Sequence, residues 1–219
     1  MPSSDYHDYV IKNGKLIGAF DAMYQHAADI PWHQDRTAHA IFSEIDLAIL
    51  AHFQRRFGLM TILEVGCGLG YFAERLHRKL GGGGGVQIVG MDISATAVDK
   101  AKSLFPEIEF QVVDLLGVNM LTNARTFDLV IAKEIFWYFL ADVEQCCANM
   151  ASLSHQYLYF SQSFPESSSF FGSDRFPNAI ALEKFLSQRF ETLHITIERD
   201  AQFGGRELLH CFAQKHSAK

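Results

Sequence analysis

The sequence, 219 residues long, has little of what would mark several protein classes. Its four cysteines, Cys67, Cys146, Cys147 and Cys211, form no CxxC pair, and two of them are adjacent. That spacing speaks against a zinc site or a disulfide scaffold and predicts buried, reduced thiols. No window approaches the roughly 18 consecutive apolar residues of a membrane-crossing helix. The polar N-terminus lacks the basic-then-apolar layout of a secretion signal, so a cytoplasmic location without membrane attachment is expected. Basic residues are outnumbered 19 to 25, a net charge of −6. A phosphate-tracking protein usually carries a basic face, so nucleic acid is not expected as a partner. With 48% hydrophobic and 20% charged residues, disorder, collagen and coiled coil are poor readings.

What is present changes period near residue 58. Between Leu16 and Ala28, apolar Leu16, Ile17, Phe20, Met23, Tyr24 and Ala27 recur at helical spacings, and Pro31 ends the pattern. A second helix is expected from about Thr37, with Ile41, Ile45, Ile49, His52 and Phe53 on one side and Gly58 as its stop. Residues 1–58 therefore read as a helical cap and 59–219 as a core within a single domain. In the core, β-prone runs at 61–65, 86–91, 108–113, 127–132 and 157–161 alternate with helical stretches to Leu80, at 95–105 and near 179–189. Strands at 192–198 and 208–214 close the chain. Alternation of this kind predicts an α/β fold with a mostly parallel sheet and helices on both faces. The five glycines of 81–85 read as a connector, 117–126 as a loop, and 163–177 as a long loop that can serve as a lid.

The chemistry concentrates at strand ends. The first core strand runs into Glu64-Val65-Gly66-Cys67-Gly68-Leu69-Gly70 and opens a helix. Spaced glycines there let a ligand approach the backbone beside the positive end of the helix. A dinucleotide fingerprint would require a third glycine at 71, where Tyr71 stands. The second strand ends in Asp92-Ile93, 22 residues beyond Gly70, and an acid at that point can accept both hydroxyls of a ribose. The third ends in Asp114-Leu115, a carboxylate beside a backbone N–H that can read an adenine edge or simply make a turn.

These strand ends, with Phe127-Asp128-Leu129-Val130-Ile131-Ala132-Lys133-Glu134 on the fourth strand, resemble the class I S-adenosylmethionine-dependent methyltransferases over roughly residues 60 to 214. The resemblance implies a Rossmann-like, doubly wound seven-stranded sheet whose last strand is antiparallel. It implies S-adenosylmethionine as cofactor and S-adenosylhomocysteine as product, while Asp128, Asp142 and Glu144 are too ordinary in spacing for a magnesium site, so no metal is expected. Glu64, Gly66, Cys67, Gly68 and Gly70 would line the methionine part, Asp92 would hold the ribose, and Ile93 beside it would also contact the cofactor. Asp114 and the Leu115 amide would meet the adenine, and the Lys133 carbonyl the cofactor's amino group.

Lys133-Glu134-Ile135-Phe136-Trp137-Tyr138-Phe139 stands where substrate chemistry is usually placed, and it carries no Asn-Pro-Pro-Tyr signature for nucleic-acid bases. It is similar to the Ser-Glu-x-x-Tyr-Tyr arrangement of nodulation-type aminosugar N-methyltransferases, with Lys133 for the serine and Trp137 for the first tyrosine. Pro31-Trp32 is similar to a Pro-Trp of that group. The expected acceptor is a nitrogen, or an oxygen, of a small sugar-like metabolite, handled by a monomer or homodimer. Glu134 and His33 are the candidates for orienting or deprotonating it, and Trp32, Trp137 and Tyr138 for walling it. For Glu134 the competing reading is a charge at a helix start, and the aromatics read equally as core. Two rivals share the cofactor logic: a nicotinamide-dependent oxidoreductase and a non-catalytic S-adenosylmethionine-binding protein. Ser161-Gln162-Ser163 lacks the GxSxG elbow of a hydrolase.

Overall fold

Asn13-Gly14 is the shortest turn signal in the chain, and both residues take positive φ, 52° and 71°. They close a hairpin of β1 (Ile11–Lys12) and β2 (Lys15–Leu16), paired Ile11 to Leu16 and Lys12 to Lys15, just after α1 (His7–Val10). The helix expected from Leu16 consequently begins only at Phe20, as α2 (Phe20–His26). Leu16 and Ile17 are exposed, while Met23 and Tyr24 are buried. A turn at Pro31–His33 leads to α3 (Gln34–Thr37) and α4 (Ile41–Phe57), which Gly58 ends at φ 65°. Of the expected Ile41, Ile45, Ile49, His52 and Phe53, only Phe53 belongs to the buried stripe of α4, and Ile45 and Ile49 are half-buried. That stripe is Ser43, Asp46, Leu47, Leu50, Ala51 and Phe53, and Ile41 is exposed. Two buried polar residues in the stripe, Ser43 and Asp46, rotate the true face away from the one that hydrophobicity marks. The Ser43 hydroxyl is accommodated by donating to the Thr37 carbonyl at 2.8 Å.

This computed structural model describes residues 3–81, 85–117, 125–167, 169–200 and 205–216. They fall into two compact units, Met1–Met120 and Leu121–Lys219. The first unit continues with β3 (Thr61–Val65), α5 (Tyr71–Leu76) and a wider turn to Gly81, then β4 (Gln87–Asp92), α6 (Ala95–Leu104) and β5 (Glu109–Val112). β3 pairs β4 in parallel from Thr61–Gln87 to Val65–Met91, and β4 pairs β5 from Val89–Glu109 to Asp92–Val112. Ile62 to Val65 are all buried, as expected of a parallel strand covered on both faces. Ser94 caps α6 by accepting the Ala97 N–H.

In the second unit β6 (Phe127–Lys133) is followed by short turns at Phe136–Tyr138 and Leu140–Asp142, and then by α7 (Val143–Leu153). β7 (Ser154–Phe164), α8 (Ala179–Ser187), β8 (Phe190–Asp200) and β9 (Arg206–Lys215) complete it. The sequence reading has no helix at α7, because two cysteines and an asparagine occupy its buried stripe beside Val143, Met150 and Leu153. β7 is parallel to β6 and more than twice the expected length. The chain's last strand, β9, runs antiparallel to both β7 and β8, with Ser161 opposite His210 and Ile195 opposite Cys211. The seven-stranded sheet has the order β5-β4-β3-β6-β7-β9-β8, so the expected mixed sheet is the observed one.

Within the expected 163–177 loop, Ser163 and Phe164 belong to β7. The rest is anchored by Phe170 against Trp137, by Phe176 against Phe185, and by an Arg175–Glu144 ion pair. Ser168, Gly82–Gly84, most of the 117–126 loop and the connection between β8 and β9 lie outside the described residues. No helix among the described residues is long and apolar enough to cross a membrane. All four cysteines are buried and unpaired, and burial pushes the Cys147 and Cys211 thiols up to about 12. Phe160 is fully buried between Phe136 and Phe190, with ring centres 5.7 and 5.5 Å away. Phe160→Ala should cost about 3–5 kcal/mol in urea unfolding, whereas Ile180→Ala on the exposed side of α8 should stay within about 0.5 kcal/mol.

Candidate functional site

The glycine spacing after β3 has a packing cause as well as a conformational one. Gly66, Gly68 and Gly70 have φ of 71°, 55° and 81°, where an ordinary L-residue is strained by about 1–2 kcal/mol. A Cβ on Gly70 would lie 2.6 Å from the Phe110 ring, and one on Gly90 would meet Phe110 at 2.5 Å and the Cys67 sulfur at 2.8 Å. The loop is tied down by Gly66 and Cys67 N–H groups donating to the Met91 carbonyl at 2.7 and 3.0 Å. Gly68 N–H donates to Asp92 Oδ2 at 2.8 Å, and Ser94 N–H to Oδ1 at 2.9 Å. Burial raises the Asp92 carboxyl above its ordinary 3.8, against the lowering effect of those N–H groups. Burial, with the Asp92 and Glu64 charges, also pushes the Cys67 thiol well up, which makes it an inert wall.

Two other strand-end residues stand differently. Ile93 is 51% exposed beside the buried Asp92. Asp114 is exposed and accepts the Leu116 N–H at 2.9 Å, so the turn role weighed for it is real. Leu115 next to it is buried.

The N-terminal segment sits directly on the loop. Gln34 Oε1 accepts the Leu69 N–H at 2.9 Å, and Gln34 Nε2 donates to the Tyr24 hydroxyl at 3.1 Å. A Cβ on Gly68 would meet the Gln34 amide and, at 2.6 Å, that hydroxyl. Asp21 accepts from the Ser94 hydroxyl at 2.9 Å and the Thr96 N–H at 2.8 Å, and these donors, the Thr96 N–H first, lower its carboxyl. Arg75 on α5 reaches the Ala38 carbonyl and Glu44. Sequence reasoning missed Gln34 and Asp21, since neither has a periodic or motif signal. Trp32 and His33 both take left-handed backbone, φ 53° and 48°. Trp32 lies between Tyr6 and Tyr24, at 5.8 and 6.3 Å between ring centres. His33, edge-on to Tyr6, helps line an open cavity of about 360 Å³ with Ser4, Asp5, His7, Ala28 and Asp29.

In the second unit Lys133 is the last residue of β6. Glu134 is not at a helix start: it takes φ 58°, and its N–H donates to the Ser161 carbonyl at 2.8 Å. Its Oε2 accepts from the Ser163 hydroxyl at 2.7 Å and from Gln162 Nε2 at 3.0 Å. Gln162 Oε1 in turn accepts the Phe136 N–H at 3.0 Å. Trp137 is half-buried, edge-on to Phe164 and Phe170, and Tyr138 is also half-buried. Gln162, which motif reasoning met only in a discarded hydrolase pattern, is therefore the partner of Glu134. Among the described residues no group of three His, Cys, Asp or Glu side chains is placed to hold a metal ion.

Residues 62–156 match the family described as a methyltransferase domain. No curated protein matches the sequence. Among solved structures, N-methyltransferase NodS from Bradyrhizobium japonicum WM9, in complex with S-adenosylhomocysteine, aligns with a TM-score of 0.65 and 18% identity over 90% of this chain and 99% of its own. Magnesium protoporphyrin IX methyltransferase (ChlM) from Synechocystis PCC 6803, with bound S-adenosylhomocysteine, gives 0.60 and 15% over 84% and 94%. The CurJ carbon methyltransferase gives 0.68 and 15% over 92% and 63%. At these identities the likeness concerns the fold. The domain match spans residues 62–156, less than half of the chain, and marks that stretch as similar to a methyltransferase domain. The residues fit S-adenosylmethionine, because the loop has glycine where a Cβ would clash and a buried carboxylate with N–H groups ordered around it.

Two outcomes follow from this geometry. Gly68→Ala should loosen the N-terminal segment, seen as faster proteolysis before residue 58 together with a lower Tm. For Asp92, the folded state holds the carboxyl proton more tightly than the unfolded state, because its pKa is raised. Wild-type stability relative to Asp92→Ala should therefore fall as pH rises from about 3.8 and level off once Asp92 is ionised. A difference that grew with pH in urea titrations would contradict the burial argument.

Proposed function

We propose that the enzyme methylates a nitrogen, or an oxygen, of a small sugar-like metabolite, with Glu134 as the group that orients and deprotonates the acceptor. The observation that carries this reading is the Glu134 carboxylate at the end of β6, held by Ser163 and Gln162 on a left-handed backbone. Strain at a strand end of a cofactor fold is characteristic of working residues. Gly66, Cys67, Gly68 and Gly70 would line the methionine part of S-adenosylmethionine, backed by Glu64. Asp92 would accept the ribose hydroxyls, Ile93, Asp114 and the Leu115 amide would border the adenine, and the Lys133 carbonyl would take the amino group. The cofactor supplies an electrophilic methyl group, and the protein's part is positioning and removal of a proton. Residues 1–58 would act as a cap that brings Trp32 and His33 to the acceptor, with Trp137 and Tyr138 contributing aromatic faces.

A net charge of −6 supports a small-molecule acceptor over nucleic acid, and the reading takes the enzyme as cytoplasmic, monomeric or dimeric. The test is a thermal-shift series with S-adenosylmethionine, S-adenosylhomocysteine, NAD and NADP. The two adenosyl ligands at about 100 times Kd should add roughly 2.7 kcal/mol, on the order of 5–11 °C, and Asp92→Ala should abolish the shift. Release of S-adenosylhomocysteine with a panel of amino sugars should exceed that with the matching neutral sugars. Glu134→Gln should slow it by about 100-fold or more while leaving the thermal shift intact. Equal turnover by Glu134→Gln would refute the role given to the carboxylate.

A further inference from the structure

Gln162 is a fully buried primary amide in the second unit. Such a group is costly to bury unless its hydrogen bonds are met. Its bonds grip one short stretch after β6 at two points: Oε1 accepts the Phe136 N–H, and Nε2 donates to Glu134 Oε2. Ser163, the next residue on β7, donates its hydroxyl to the same Glu134 oxygen at 2.7 Å. From the other end, the Glu134 N–H is fixed on the Ser161 carbonyl. Three consecutive residues of β7 thus hold one glutamate by backbone and side chain.

A carboxylate oxygen offers two in-plane lone-pair directions, and on Oε2 both are taken by donors. Donors to a carboxylate favour its charged form. We propose that Gln162 and Ser163 are positioning residues for Glu134, fixing its carboxylate through Oε2 for the transfer of the acceptor's proton. The proposal rests on the reading of Glu134 as the base. In the step it describes, the acceptor N–H bond breaks, its pair stays on nitrogen and the proton joins the Glu134 carboxylate. The nitrogen pair forms the bond to the methyl carbon as the carbon–sulfur bond breaks with its pair passing to sulfur.

The experiment follows the Glu134 carboxyl itself, by 13C NMR of protein labelled at glutamate side chains. Glu134→Gln assigns the resonance through its disappearance. Ser163→Ala and Gln162→Met should each raise the Glu134 titration midpoint by about one pH unit, while Ser163→Thr, which keeps the hydroxyl, should restore the wild-type value. Gln162→Glu keeps the shape and adds a second carboxylate, so the pair should share a proton and one midpoint should rise further. Lys133 and Glu166, the charged residues nearest in sequence to the three positions, are unchanged throughout. Midpoints that stay at the wild-type value in Ser163→Ala, Gln162→Met and Gln162→Glu would overturn the proposal and leave both side chains a purely structural role. Thermal shift with S-adenosylhomocysteine, run on the same samples, keeps the two ideas apart. Its loss in the wild type would strike the cofactor reading, whereas the Glu134 midpoints report only on positioning.

Discussion

The buried carboxylate of Asp92 is the constraint around which the first unit is arranged. One oxygen takes the Gly68 N–H and the other the Ser94 N–H, so a single side chain joins the glycine loop to the start of α6. Removing that charge from water is unfavourable, and the neighbouring N–H groups offset only part of the cost. The loop must therefore stay in the conformation that delivers its amide, which is the left-handed one that glycine accepts. Phe110 then closes on the Cα atoms of Gly70 and Gly90, and the N-terminal segment closes on Gly68 through Gln34 and Tyr24.

The second unit solves a related problem with different means. Where the first surrounds an acid with backbone N–H groups, the second surrounds Glu134 with side-chain donors from β7 and places its backbone in a left-handed bend. The bend departs from β6 while the N–H still pairs with Ser161, so the strand's last hydrogen bond and the first residue of the aromatic turn segment coincide. Trp137 and its aromatic neighbours follow within three residues, anchoring the segment 170–176 against the same turn.

The core strands and the glycine–acid spacing were legible because both leave marks at short range. Buried parallel strands read as continuous apolar runs, and Gly66, Gly68 and Asp92 announce a close backbone approach by residue type alone. The N-terminal segment was misread for the converse reason. Leu16 and Ile17 sit at helical spacing from Phe20 and Met23, yet Asn13-Gly14 commits the preceding residues to a hairpin and ends the competition locally. In α4, polar Ser43 and Asp46 point inward while Ile41 faces water, so hydrophobic periodicity finds Phe53 but sets the face off by part of a turn. Gln34, Asp21 and Gln162 were invisible because their partners, Leu69, Ser94 and Glu134, lie 35, 73 and 28 residues away in sequence.

The distribution of thiols gives the molecule a built-in chemical reporter. Cys67 belongs to the first unit and Cys146, Cys147 and Cys211 to the second, all withdrawn from solvent and all biased toward the unreactive protonated form. An alkylating reagent consequently reacts only with molecules that have opened. The mass of each labelled peptide then records which half of the chain breathed, without any probe having been added to it.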